Sequence, residues 1–317
     1  MTQVVLVGIG AGVAAALLFL APVSGTALAF PLFALTGLPI AIAGLGWGLA
    51  GALAATATGV AAIFALAQWA GAAIFLGVFA VPLTWLTRLA NLSRPIGDGG
   101  AEGAREWYPL GQLLLHAAVV VAAGLVIVGA IVGFDPRTLV GELSVGLADL
   151  LARGAANPAD VPSPAELEPF VRVNVALLPF MVAILALVMV VVDLWLAALV
   201  ARTSGRLERP RDDLRTVSLP NRVALALAVA AIVAFVPGGI GHAGAVVAGA
   251  LGGAMALVGL AVLHALTAGM AGRAVLLVLT YVLVFISGFP LVLLALVGIG
   301  EGFVNLRGRR QGGGPPR

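Results

Sequence analysis

The chain has no cysteine. That excludes disulfides, thiolate nucleophiles and sulfur-ligated metals. It has no lysine either, since all 17 basic residues are arginine. Without lysine there is no Schiff base and no P-loop lysine to hold a phosphate. Histidine is limited to His116, His242 and His264, too scattered for a zinc motif. No metal and no cofactor is expected. Charge itself is missing from the longest stretch: from Met1 to Thr87 there is no Asp, Glu, Lys, Arg or His, and Arg88 is the first ion. A soluble domain carries charge on about a quarter of its residues because its surface must face water. Here charged residues make up 10% and hydrophobic ones 62%, with a mean hydropathy of +1.14. These values belong to an integral membrane protein.

Other absences narrow the function. No serine sits in a nucleophile elbow, and no paired carboxylates or His-Glu-x-x-His pattern occurs, so an enzyme is not expected. No basic surface interleaved with aromatics is present, which argues against nucleic acid as a partner. The expected environment is the lipid bilayer.

A spanning helix needs about 20 apolar residues. By that measure the uncharged block predicts four helices, near Val4–Ala21, Ala27–Gly46, Leu49–Gln68 and Ala70–Thr87, with Pro31, Pro39 and Pro82 as kinks. Val4–Leu20 followed by Thr26-Ala27-Leu28-Ala29 resembles a secretory signal. Its leading Met-Thr-Gln carries no basic residue, so a retained first helix is expected. Arg88–Pro109 is a loop, and Leu110–Gly133 is the fifth span.

Residues 134–172 form the longest polar stretch. Leu139, Leu143, Leu147, Leu150 and Leu151 recur at helical spacing between a start signal at Asp135-Pro136 and a stop at Gly154. This predicts one amphipathic surface helix, followed by an extended Pro-rich run. Spans then follow near Val173–Ala201, Val223–Val236, Ala243–Leu266 and Ala274–Gly300. The last is interrupted at Ser287-Gly288-Phe289-Pro290. The expectation is an all-α polytopic transmembrane bundle of about nine spans over residues 1–303, with a basic, disordered tail over 304–317.

Arginine placement orients the chain. The loop from Arg202 to Arg222 holds six arginines and should be cytoplasmic. Counting back puts the N-terminus and Arg88–Pro109 on the same side, and residues 134–172 opposite. Counting forward by single crossings puts the tail opposite too, against Arg307, Arg309 and Arg310. A broken or hairpin pair over Ala274–Gly300 would resolve the conflict.

Two stretches carry a family resemblance. One is PLFALTGLPIAIAGLGWGLAGALAAT near the N-terminus. The other runs from LPNRVALALAVAAIVAF through LVGLAVLHAL and GRAVLLVLTYVLVF to FPLVLLALVGIGEGFVNLRGRR. The chain resembles the YybS-like family of membrane proteins, whose domain has no assigned function. That family is distantly similar to the substrate-binding subunits of energy-coupling-factor transporters. The resemblance implies a helical bundle in a bacterial inner membrane with a small-molecule pocket, and it carries over no site residue.

Candidate polar contacts within the spans are Asp193 and His264. Asp193 lies in the otherwise apolar LALVMVVVDLWLAALVA. An acid at a helix centre costs about 2.5–3.5 kcal/mol on insertion scales. It is either a proton, cation or ligand site facing the bundle interior, or an interfacial residue hydrated or paired near Arg202. His264, in LAVLHALTAG, is either a ligand contact or a hydrogen-bonded packing residue. Glycine pairs such as Gly8/Gly12, Gly129/Gly133 and Gly249/Gly253 are expected to allow close intramolecular helix packing. Two functions stay open. One is binding or transport of a small, neutral or weakly polar solute. The other is a non-transporting scaffold in envelope or membrane-complex assembly, which meets another membrane or cytoplasmic subunit, or anionic lipid headgroups, through the Arg202–Arg222 loop and the basic tail.

Overall fold

The computed structural model describes residues 1–96, 105–155, 157 and 161–310. Helix dominates, and the only strands among the described residues are the three-residue pair β1 (Ser93–Pro95) and β2 (Arg105–Trp107). The helices are α1 (Thr2–Phe19), α2 (Ala29–Ala34), α3 (Leu38–Phe75), α4 (Val81–Ala90), α5 (Leu110–Val132), α6 (Pro136–Gly154), α7 (Pro164–Thr203), α8 (Arg222–Val233), α9 (Gly239–Leu266), α10 (Arg273–Ser287), α11 (Pro290–Val304) and the short α12 (Leu306–Arg310). Among the described residues, five helical stretches are long and apolar enough to cross a membrane: α1, Ala29–Ala90, α5, α7 and α9.

The second of these is not one rod. Gly48 has φ 74° and Gln68 has φ 60°, so the chain leaves the helical path at both. It folds back there: a methyl group at Gly51 would lie 2.8 Å from the Ala43 carbonyl, and one at Gly59 would lie 2.7 Å from the Phe75 ring. Both reversals fall where glycine and Gln68-Trp69 punctuate the sequence. A turn of π-helix at Leu76–Ala80 leads into Pro82, which has no N–H to close a regular turn. Rings of Phe19, Phe33, Phe75 and Phe79 pack against one another at centroid distances of 5.5–6.4 Å and fill this half of the core.

The Asp135 carboxylate caps α6, accepting from the Arg137 N–H at 3.0 Å and the Thr138 hydroxyl at 2.6 Å. Those bonds, the Thr138 hydroxyl first, hold its carboxyl below the usual range. α6 packs on the start of α7 through Val140, Val171 and Val175. Of the expected leucine stripe, Leu139 and Leu147 join this cluster, while Leu143, Leu150 and Leu151 remain exposed.

The expected extended run is shorter than its prolines suggest. Ser163 and Glu166 form a reciprocal capping box, with Pro164 at the first helical position, so helix begins there and not at Val173. The Ser163 N–H and hydroxyl hold the Glu166 carboxyl below its usual range. α7 is 40 residues long, about 60 Å at 1.5 Å per residue, and overruns the roughly 30 Å hydrocarbon layer.

α9 is the central post. Gly249 meets α7, where a methyl group would lie 2.2 Å from the Phe180 carbonyl. Gly259 meets α11, where one would lie 1.8 Å from the Leu294 carbonyl. Gly8 and Gly12 give α1 the same close approach to α3, as expected of these pairs. Gly129 and Gly133 differ, facing open space.

The interruption expected at 287–290 is present, since Gly288 caps α10 in the left-handed region and α11 starts at Pro290. α11 packs along α9, whereas α10 has no buried residue. The tail does not lie opposite the arginine loop. Arg307 pairs with Glu301 at 2.6 Å, their side chains only 15% and 6% exposed, and donates to the carbonyls of Arg215 and Val217. Glu301 is therefore a buried ion-pair partner, and Leu306–Arg310 is helical where disorder was expected. The remainder of that expectation, residues 311–317, lies outside the described residues.

Candidate functional site

The two polar residues singled out in the sequence occupy different places. Asp193 is fully buried in α7. Its partner comes from the gap between α2 and α3. Pro39 cannot donate to the Leu35 carbonyl, and its ring crowds that carbonyl, so the helix is interrupted at Leu35–Gly37. Leu35, Thr36 and Leu38 use tighter bonds to the carbonyls of Leu32, Phe33 and Leu35, and the Thr36 hydroxyl donates to Phe33 at 2.6 Å. Gly37 then stands at the start of α3 and gives its N–H to Asp193 Oδ2 at 2.9 Å. The positive end of the helix faces the carboxyl group. Asp193 Oδ1 is also buried and has no hydrogen-bond partner among the described residues. Space at Gly37 is tight: a methyl group there would lie 2.0 Å from Leu83 Cδ1 and 2.7 Å from Asp193 Oδ2, so one of those side chains would have to shift. Asp193 thus closes a helix break; among the described residues it makes no ion pair with Arg202, and it does not line the cavity beside His264.

His264 does line a cavity. This space of about 550 Å³ lies among α5, α7, α9, α10 and the Arg202–Arg222 loop. Its body is apolar, with Leu113, Leu114, Val191, Leu194 and Leu257 on the walls. Its mouth carries Arg202, Arg209, Arg211, Arg215, Asp212 and Asp213. His264 Nε2 and the Tyr281 hydroxyl are 2.9 Å apart, and this bond joins α9 to α10 along one side.

Much of the arginine charge is already engaged. Arg209 is buried and bonds Asp212 at 2.6 Å, the Tyr108 carbonyl at 2.8 Å and the Ala90 carbonyl at 3.3 Å. One guanidinium therefore ties the end of α4, the end of the β-hairpin and its own loop together. Arg215 lies on Asp213 through two bonds of 2.9 Å, which hold the Asp213 carboxyl down and the guanidinium up from their usual ranges. Arg206 stacks over the Trp47 ring at 4.8 Å. Arg105 reaches Glu208 at 2.9 Å, so both arginine-bearing loops meet at one end of the bundle.

No family model, curated protein or solved structure matches the chain. The site is read from its own residues. Among the described residues, no group of three or more His, Asp or Glu side chains could hold a metal ion. Sequence reasoning found His264 but missed the cavity walls and the partners of Asp193. Thr36-Gly37-Leu38-Pro39 marks a helix break, but nothing local ties it to a residue 156 positions away.

Proposed function

We propose that this is a multi-pass protein of a bacterial inner membrane that binds, or helps to move, a small solute with a mainly apolar body. The observation that carries the reading is the cavity of about 550 Å³, within the roughly 300–1,000 Å³ range of small-ligand sites. Its apolar walls and polar mouth suit a solute that lies partly in the hydrocarbon layer. The positive-inside rule supports placing the arginine end in the cytoplasm. Contact of Arg307 with the Arg202–Arg222 loop supports placing the C-terminal end there too. The reading counts ten traverses in place of nine: four in the uncharged block, then α5, α7, α8, α9, α10 and α11. The short helices α8, α10 and α11 would be partial or thin spans.

The scaffold reading draws on a different surface. Arg209 is turned inward, but Arg206, Arg211, Arg215 and Arg222 of the arginine loop are exposed, and the α6–α7 hairpin leaves Leu150 and Phe170 65% and 64% exposed. Such a face suits a membrane surface or another protein.

The test is a thermal-shift screen of detergent-purified protein against small amphiphiles and metabolites, beside the cavity-filling variant Ala261→Trp. A ligand that raises the melting temperature of the wild type but not of the variant supports the cavity. Absence of any such ligand, with other membrane proteins co-purifying through α6, would favour the scaffold.

A further inference from the structure

The charges at the cavity mouth do not cancel. Arg202, Arg209, Arg211 and Arg215 stand there against Asp212 and Asp213. The two aspartates are each taken, Asp212 by Arg209 and Asp213 by Arg215. Arg202 and Arg211 have no carboxylate within ion-pair distance among the described residues. Arg202 makes one long hydrogen bond, 3.4 Å to the Pro210 carbonyl, and its Nε is buried with no acceptor among the described residues. An oxyanion in the cavity that met the accessible nitrogens of these two guanidinium groups would neutralise both charges. The same cavity is lined elsewhere by leucine and valine.

The geometry points to a single-chain lipid phosphate monoester as the occupant: its phosphate lies between Arg202 and Arg211, and its chain lies along Leu113, Leu194 and Leu257. The inference rests on the proposal that the cavity binds a solute, and it changes the expected solute from neutral to acidic. Two observations set the class. A phosphate monoester carries about −1.5 to −2 charge at neutral pH, against two unpaired guanidinium groups, whereas a carboxylate carries one. The apolar body of the cavity has no row of polar groups to satisfy a sugar or a nucleobase, but it can cover one hydrocarbon chain. Positive residues beside a membrane attract acidic lipids generally. What distinguishes this pair is that both line one concave space and neither is paired with a carboxylate among the described residues.

The experiment measures binding to the purified full chain in a neutral detergent, by native mass spectrometry and by thermal shift. The probes are oleoyl lysophosphatidic acid, oleate, monooleoylglycerol and inorganic phosphate. The proteins are wild type, Arg211→Gln, Arg202→Gln/Arg211→Gln and Ala261→Trp. Lysophosphatidic acid should bind at least about tenfold more tightly than monooleoylglycerol, as expected for a charge-assisted contact of about 1.4 kcal/mol. Oleate should fall between them. Arg211→Gln alters an exposed side chain and so keeps the test independent of folding at Arg202; it should remove about half of the preference on a logarithmic scale. The double substitution should remove most of the rest and leave monooleoylglycerol unchanged. Equal binding of the phosphate and neutral lipids, or a preference that survives both substitutions, overturns the acidic-head inference and leaves the cavity proposal standing. Inorganic phosphate binding as tightly as the lipid also overturns it, in favour of a free-anion site. If no amphiphile binds, or if Ala261→Trp binds as well as wild type, the cavity proposal falls with it.

Discussion

Replacing Gly37 by alanine tests whether the helix break and Asp193 form one packed unit. The added methyl group would lie 2.0 Å from Leu83 Cδ1 and 2.7 Å from Asp193 Oδ2, both far inside van der Waals contact. Overpacking of a filled core costs about 1–3 kcal/mol. Loss of a hydrogen bond to a carboxyl group costs about 1.5–3 kcal/mol. Leu83 can rotate away in part, so the expected destabilisation is about 2–4 kcal/mol, below the sum of the two. Leu83→Ala removes the nearer obstacle at its own cost of about 2–5 kcal/mol, because the side chain is fully buried. In that background Gly37→Ala should cost about 1–2 kcal/mol less than in the wild type, since only the clash with Asp193 remains. Asp193→Asn keeps an oxygen to accept the Gly37 N–H and should lose less than about 1.5 kcal/mol. The assay is equilibrium unfolding in mixed micelles, followed by far-ultraviolet circular dichroism. A Gly37→Ala protein as stable as wild type, or strict additivity with Leu83→Ala, would refute the packed unit.

Arg209→Gln should lower stability by about 2–3 kcal/mol in the same assay, because it leaves two backbone carbonyls and the partly exposed Asp212 without their shared donor. Arg209→Lys should recover only part of that, since an ammonium lacks the planar fork. The starts of α6 and α7 should loosen in acid. Asp135 and Glu166 titrate below their unfolded values, so their contribution is complete above about pH 5 and is lost as the pH falls through the folded values. Hydrogen exchange should show lost protection at residues 138–140 and 166–168 under acid, with α9 unchanged; retained protection at those amides would contradict the capping account. Because the chain has no cysteine, single cysteines can be introduced without a background. Cysteines at Arg94, Glu208 and Arg309 should react with an impermeant maleimide from one side of sealed vesicles, and a cysteine at Glu168 from the other. Reaction of Arg309→Cys on the Glu168 side would overturn the folded-back tail.

Local punctuation was legible in the sequence. Gly48, Gln68, Asp135 and Gly288 each mark a boundary that the structure keeps, because positive φ or a capping side chain acts within a few residues. The start of α7 was misjudged where two local rules compete. Prolines at 162, 164 and 169 suggest extended chain, but Pro164 sits at the one helical position that tolerates proline, between the two halves of a capping box. What the sequence could not disclose is long-range. The Gly37–Asp193 bond spans 156 positions, and Arg209 reaches carbonyls 119 and 101 positions away. Counting arginines places the loop on one side of a membrane. It does not reveal which guanidinium groups have been spent on carbonyls and which still face a cavity.

The glycines of α9 determine which parts of this molecule can move. Where backbone touches backbone, as Gly259 touches the Leu294 carbonyl and Gly249 the Phe180 carbonyl, there is no cushion of side chains to shear. Rotation of α9 by even one residue would drive a side chain into a neighbouring main chain. The assembly of α7, α9 and α11 should therefore behave as a stator. Displacement is left to elements held by side-chain tips, and α10 is the extreme case: it has no buried residue and touches α9 through the His264–Tyr281 bond on the flank of the cavity. If solute enters from the bilayer, the fixed post and the loose helix define the direction, sideways past α10 and not upward through the bundle.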